Sequence, residues 1–297
     1  MAEIIKIMAL RHSAFYSPLL YTISGGFLAA EGLEAEYRLA TPEKSVFECL
    51  ADGSAHVSQL AVAASFPALE RGETPDVVHF AQINQRDGFF LAGRPHPQAE
   101  KFSWSQLIGK KVLVDHLFQP IAMFKYALHQ LAIDEKQIDM VDAGDVDAMD
   151  AAFRAGVADY IHQQGPAPQQ LEHDGKATVL ASIGDVIGDV AFSSLCATRS
   201  WLATEQAAAF MRAYRKACAA LLVTPAAVIA ENEASFFPHI NPEVLTQTIA
   251  AYQRLGCWSE DPHISEASYR TLLDVFAYNG LISRRHAYEA AIIAPPV

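Results

Sequence analysis

The chain has no uninterrupted apolar stretch of the ~20 residues that a membrane-spanning helix requires, so membrane insertion is not expected. It also lacks any cluster of Lys and Arg, and its net charge is −12. That balance argues against nucleic acid and anionic membrane surfaces as partners. Cysteine is scarce: Cys49, Cys196, Cys218 and Cys257 stand far apart without paired spacing. The pattern fits neither a zinc site nor a disulfide framework and leaves them as apolar packing residues. The 11 histidines are scattered, with no H-x-x-x-H pair, so no metal and no cofactor is expected. Low-complexity stretches and a flexible linker are missing too. What is present is ordinary for a globular protein: 51% hydrophobic and 19% charged residues, in 297 residues, enough for two lobes with their own cores. Met1-Ala2-Glu3 enters a strand at once, so no signal peptide is read. The chain is therefore read as cytoplasmic if Met1 is the native start, and as periplasmic if a leader was removed.

The most informative stretch runs from Lys6 to Tyr37. Ile4–Leu10 is a short apolar run, the size of a buried parallel strand. It ends in the polar, aromatic loop Arg11-His12-Ser13-Ala14-Phe15-Tyr16. Ser17-Pro18 reads as N-cap and first helical residue, Gly25-Gly26 as the stop, and Leu33–Tyr37 as an alternating second strand. Donors and rings at the carboxyl end of a strand, ahead of a helix, are where open α/β sheets bind ligands.

Strand and helix patterns then alternate to about residue 197. Thr41-Pro42 predicts a helix that Gly53 stops. Strands are predicted at 55–60, 77–83, 88–91, 112–114, 138–141, 158–162, 178–183 and 192–197. The tail from Thr204 reads as helical, with starts at Thr224-Pro225, Asn241-Pro242 and Ser265-Glu266 and stops at Gly256 and Gly280. A Pro-bearing loop (Arg94-Pro95-His96-Pro97) and a Gly-Asp-rich return (Ile183–Asp189) are the two places where the chain could cross between lobes. They predict lobe one from 1–93 with 194–297, and lobe two from 94–193. An internal echo, Phe47–Val57 against Ala152–Tyr160, repeats a helix end, a Gly cap and entry into a strand that ends in Gln.

Three loops after strands collect donors and acceptors beside an aromatic ring: Arg11–Tyr16, His116–Pro120 and Tyr160–Pro166. Such a set suits a planar, polar heteroaromatic ligand, whose faces stack and whose edges take hydrogen bonds from His and Gln. The candidate ligand residues are Arg11, His12, Ser13, Tyr16, Gln59, His116, Phe118, Gln119, Tyr160, His162, Gln163 and Asp185. Asp185 and Asp189 also suit turn chemistry; Asp185 is kept as the ligand acceptor. Cys196, beside Ser193-Ser194, is the one suggestive nucleophile, but its apolar strand points to packing. No catalytic residue is assigned.

The opening phrase His12–Leu20, followed by Gly25–Glu36, resembles the substrate-binding proteins of nitrate/sulfonate/taurine-type ABC transporters and their relatives that bind thiamine-pyrimidine precursors. So do Leu107-Ile108-Gly109-Lys110-Lys111-Val112, the Gly-x-Ala-Asp of 156–159, and Ser265–Leu281. The resemblance covers nearly the whole chain. It implies an α/β periplasmic-binding-protein fold of type II: two α/β lobes joined by two crossovers, with the ligand in the cleft between them. It also implies a solute-binding role in transport, with a small heteroaromatic or sulfonated ligand and an ABC transporter permease as partners. The alternative is a cytoplasmic enzyme on the same fold, a decarboxylase, desulfinase or thiamine-pyrimidine synthase-like protein. Eukaryotic synthases of this fold carry a cysteine-rich cluster where this chain has Phe192-Ser193-Ser194-Leu195-Cys196.

Overall fold

The computed structural model describes residues 2–95, 102–115 and 117–297. Ten strands form two five-stranded sheets. In chain order they are β1 (Glu3–Ala9), β2 (Leu33–Leu39), β3 (Val57–Ala61), β4 (Val77–Arg86), β5 (Phe89–Gly93), β6 (Lys111–Val114), β7 (Asp139–Asp142), β8 (Tyr160–Gln164), β9 (Thr178–Ser182) and β10 (Asp189–Thr198). The first sheet has the order β2-β1-β3-β10-β4 and the second β7-β6-β8-β5-β9. In each, three parallel strands are followed by one antiparallel strand that comes, in chain order, straight after a strand of the other sheet. β3 and β8 hold the same place in their sheets, which gives the internal echo a structural basis.

The strands follow from residue pattern. β1 buries Ile5, Ile7, Met8 and Ala9, as a central strand covered on both faces must. β2 alternates buried Leu33 with exposed Glu34 and Glu36, the pattern of a strand at the edge. The first helical segment starts earlier than Ser17: Ser13 caps a short 3-10 turn, Ala14–Tyr16, that runs into the helix Ser17–Ser24. The helix expected from Pro42 begins instead at Val46, where Ser45 and Glu48 form a capping box. The helical tail matches expectation, with helices Glu205–Val223, Ala226–Glu233, Pro242–Leu255 (capped by Asn241) and Glu266–Tyr278 (capped by Ser265).

The chain passes between sheets at Asp87-Gly88 and at the helix Ile183–Ile187 with Gly188. The expected boundary at 93/94 therefore leaves all of β5, which pairs with β8 and β9, on the wrong side, and that at 193/194 cuts through β10, which pairs with β3 and β4. Pro95 follows a strand that is already in the second sheet. Gly88 is required where it stands, since a Cβ there would fall 2.2 Å from the Phe15 ring.

β4 is the outer strand of the first sheet, and its free edge is covered. Gln82 N–H donates to the Pro262 carbonyl (2.7 Å) and Gln85 N–H to that of Cys257 (2.9 Å). Near the C-terminus, Ile292 bridges to His79 in parallel and Ile293 N–H donates to the His79 carbonyl at 2.9 Å.

Candidate functional site

The carboxyl ends of β1 and β3 meet those of β6 and β8 across a cleft. Between them lies a cavity of about 160 Å³. Its polar wall is Arg11, Tyr16, Gln59, Gln119, Gln164 and Ser193; Leu60, Phe89, Phe118 and Phe192 supply apolar and aromatic surface. Strand ends from both sheets converging on one pocket is the arrangement that positions ligands in open α/β folds.

The two sides are tied together around this cavity. Arg11 Nη1 and Nη2 reach the two carboxylate oxygens of Asp115 at 2.6 and 3.3 Å. The Asp115 side chain is 2% exposed and that of Arg11 17%. Burial alone would lift the Asp115 pKa, but the hydrogen bonds and charge of Arg11 outweigh it and hold the carboxyl below its usual range. For Arg11, burial disfavours the charge, and Asp115 again outweighs it, so the net shift is upward. Ser13 Oγ donates to the Gly165 carbonyl (2.7 Å), and Gln119 Nε2 to that of Phe192 (2.9 Å). Gln164 Nε2 donates to Tyr16 Oη at 3.2 Å. Tyr252 Oη accepts from Gly165 N–H (2.7 Å) and donates to the Gly88 carbonyl (3.0 Å), joining the β8 exit to the first passage between sheets.

Gln59 is fixed from both ends: Oε1 accepts Leu10 N–H at 3.0 Å and Nε2 donates to Ser193 Oγ at 2.7 Å. Gln119 Oε1 and Gln164 Oε1 are buried and have no hydrogen-bond partner among the described residues.

Of the candidates read from sequence, the structure brings Arg11, Tyr16, Gln59, Phe118 and Gln119 to the cavity, with Ser13 spanning the cleft beside it. Five stand elsewhere. His12 is exposed and turns toward the rings of Tyr37, Phe236 and Phe237, away from the cavity that Arg11 lines. His162 is fully buried between Phe89 and Phe124, stacked at 4.6 and 4.8 Å. Burial keeps it neutral, with its pKa pushed down to about 3. Gln163 points to the opposite face of β8 and donates to the Val146 carbonyl at 3.2 Å. Tyr160 sits at the far end of β8, near Phe102. Asp185 is exposed on a separate surface groove shared with Arg254. His116 lies outside the described residues.

Sequence reading did not name Phe89, Phe192 and Ser193 as site residues, and within the loop Tyr160–Pro166 it chose Gln163 rather than Gln164. Gln164 shares a face of β8 with His162 and pairs with Phe89. Two buried acids were missed as well. Asp87, at the first passage, accepts Phe89 N–H at 2.7 Å, and burial pushes its pKa up to about 8. Glu233 lies 2.9 Å from Ser17 Oγ, and burial raises its pKa well above the usual range. Cys196 is fully buried beside the Ser58 carbonyl, and burial drives its thiol pKa upward, opposite to the activation of a nucleophile.

Comparison with known proteins agrees with this architecture. The chain is 27% identical over 293 residues to "Putative binding protein YtlA" of Bacillus subtilis (strain 168), covering 97% of this chain and 87% of that protein. Among solved structures, the ligand-binding component of an ABC-type import system from Staphylococcus aureus, with zinc bound, superposes with a TM-score of 0.76 at 17% identity, over 98% of this chain and 97% of that one. The alkanesulfonate-binding protein SsuA from Xanthomonas axonopodis pv. citri, bound to MOPS, gives 0.72 at 17%, over 99% and 100%. These likenesses show the periplasmic-binding-protein fold. The family model described as "NMT1/THI5 like" matches residues 14–228. The chain, with its two sheets and the cavity between their strand ends, thus belongs to the NMT1/THI5-like family.

Proposed function

We propose that this protein is the solute-binding component of an ABC-type importer, and that it holds one small polar molecule reversibly in the cavity between two lobes built on the two sheets. A permease is its partner in this reading, and the ligand is a small heteroaromatic or sulfonated compound. The observation that carries it is the cavity itself: about 160 Å³, walled by both sheets and crossed by hydrogen bonds that only an approach of the two sides can form. That volume matches a single ring, since an engineered apolar cavity of ~150 Å³ accommodates benzene. Phe89 and Phe192 supply the stacking surface, and Tyr16, Gln59, Gln119 and Gln164 the polar rim. The similarity to binding proteins of known fold supports the same reading.

The test is to purify the chain without heating, extract it and identify any small molecule by mass spectrometry. The compound is then titrated back while scattering reports the dimensions of the chain. Recovery of a chemically unchanged compound, with compaction on rebinding, is the expected result. Steady conversion of that compound to a product would refute the carrier reading and favour an enzyme on this fold.

A further inference from the structure

Among the described residues Arg11 is the one basic side chain that lines the cavity, and its charge is what an anionic ligand would meet there. Its guanidinium is already engaged, holding both oxygens of Asp115 at 2.6 and 3.3 Å. Asp115 Oδ1 also accepts Leu117 N–H at 2.9 Å. One N–H of each wall amide is used in the same way: Gln59 Nε2 on Ser193, Gln119 Nε2 on the Phe192 carbonyl, Gln164 Nε2 on Tyr16. The orientation of Gln119 follows from its partner, because a carbonyl can only accept. Among the described residues the glutamines also leave two buried acceptors without a partner, the Oε1 atoms of Gln119 and Gln164.

An oxyanion is all acceptor. To gain the full charge of Arg11 it would have to displace Asp115 and leave a carboxylate buried without its counter-charge, the costly way to break such a pair; held by the remaining N–H groups of Arg11, it would lie close to the Asp115 carboxylate, which repels it. We infer that Asp115 sets the charge selectivity of this pocket: by holding Arg11 it admits an uncharged, donor-bearing ring and turns away oxyanions such as sulfonates. Arg11 follows β1 of the first sheet and Asp115 follows β6 of the second, so the pair also closes the cleft. A ligand that captures Arg11 therefore removes a closing contact as it binds. This deepens the carrier reading, on which it rests, by choosing between its two ligand classes.

Two single-ring probes of similar size separate the cases: benzamide, uncharged with N–H donors, and benzenesulfonate. Calorimetric titration of the wild type is expected to give tighter binding of benzamide. Asp115→Asn keeps an acceptor for Leu117 N–H but frees Arg11, and is expected to raise benzenesulfonate affinity at least about tenfold. If Asp115→Asn does not fold, Asp115→Ser carries the same expectation. Arg11→Gln should lose whatever benzenesulfonate binding the wild type has. Benzenesulfonate binding the wild type as tightly as benzamide, or gaining nothing from a folded Asp115 variant, would overturn the inference while leaving the carrier reading intact. Binding of neither probe to any variant would instead count against the cavity as the ligand site, and against both.

Discussion

At the scale of single residues, Asp87 carries the clearest pH consequence. Its carboxyl is fully buried at the first passage between sheets, with its pKa at about 8, above the usual ~4 of a carboxylate. The folded chain therefore keeps a proton that the unfolded chain releases between those values. Stability is unaffected by this group below pH ~4, declines as pH rises through the window, and levels off above pH ~8. Asp87→Asn retains an acceptor for Phe89 N–H and removes the titration. Urea midpoints at pH 5 and pH 8 should show the variant gaining on the wild type at the higher pH, by on the order of a few kcal/mol. An unchanged pH slope would mean the carboxyl is not held neutral. Nothing in the sequence marked Asp87, because the packing at this passage is long-range, with Gly184 against the Asp87 carbonyl and Phe15 against the neighbouring Gly88. Arg11, Tyr16 and Gln59, by contrast, were legible, since a polar group at a strand end needs no long-range information to be suspected. Gln163 and Gln164 could not be told apart: residues 161 to 164 are all buried, so the usual inside-outside contrast of a strand is lost.

Among elements, the junction made by Tyr252 is the one most open to test. One hydroxyl on the helix Pro242–Leu255 satisfies Gly165 N–H after β8 and the Gly88 carbonyl before β5. Tyr252→Phe preserves the ring, which packs on Phe15 and Phe90, and strands both backbone groups. Leaving a buried polar group unpaired costs ~1–3 kcal/mol. The unfolding midpoint should fall by about that much, and an unchanged midpoint would show that water substitutes freely for the hydroxyl. Element boundaries were most legible where capping chemistry is local. Asn241-Pro242, Ser265-Glu266 and Gly256 all mark helix ends in the structure. They were least legible where a cap lies outside the expected turn. Ser13 rather than Ser17 opens the first helical segment, because its hydroxyl is positioned by Gly165 on the other sheet.

For the molecule as a whole, the alternating pattern was enough to predict an α/β fold, while the places where the chain changes sheet were only half visible. The Gly-Asp-rich return at 183–189 is one of them; the Pro-bearing loop is not, because strand pairing, not loop composition, decides to which sheet β5 belongs. The cover over β4 matters for the fate of the protein in solution. Ten residues long and buried through Phe80, Ala81 and Ile83, this strand would present a sticky ladder of unpaired amides if its strap came away. Ending the chain at Ala287 removes Ile292 and Ile293 and uncovers the His79 segment. Such a chain should still show the circular dichroism of the intact protein, yet form dimers and larger species as concentration rises, seen by light scattering. A truncated chain that stays monodisperse would assign the protection of this edge to the segment 257–262 alone. On this view Ile292 and Ile293 act as a built-in guard against aggregation, and trimming the chain short of them puts shelf life at risk before it touches ligand binding.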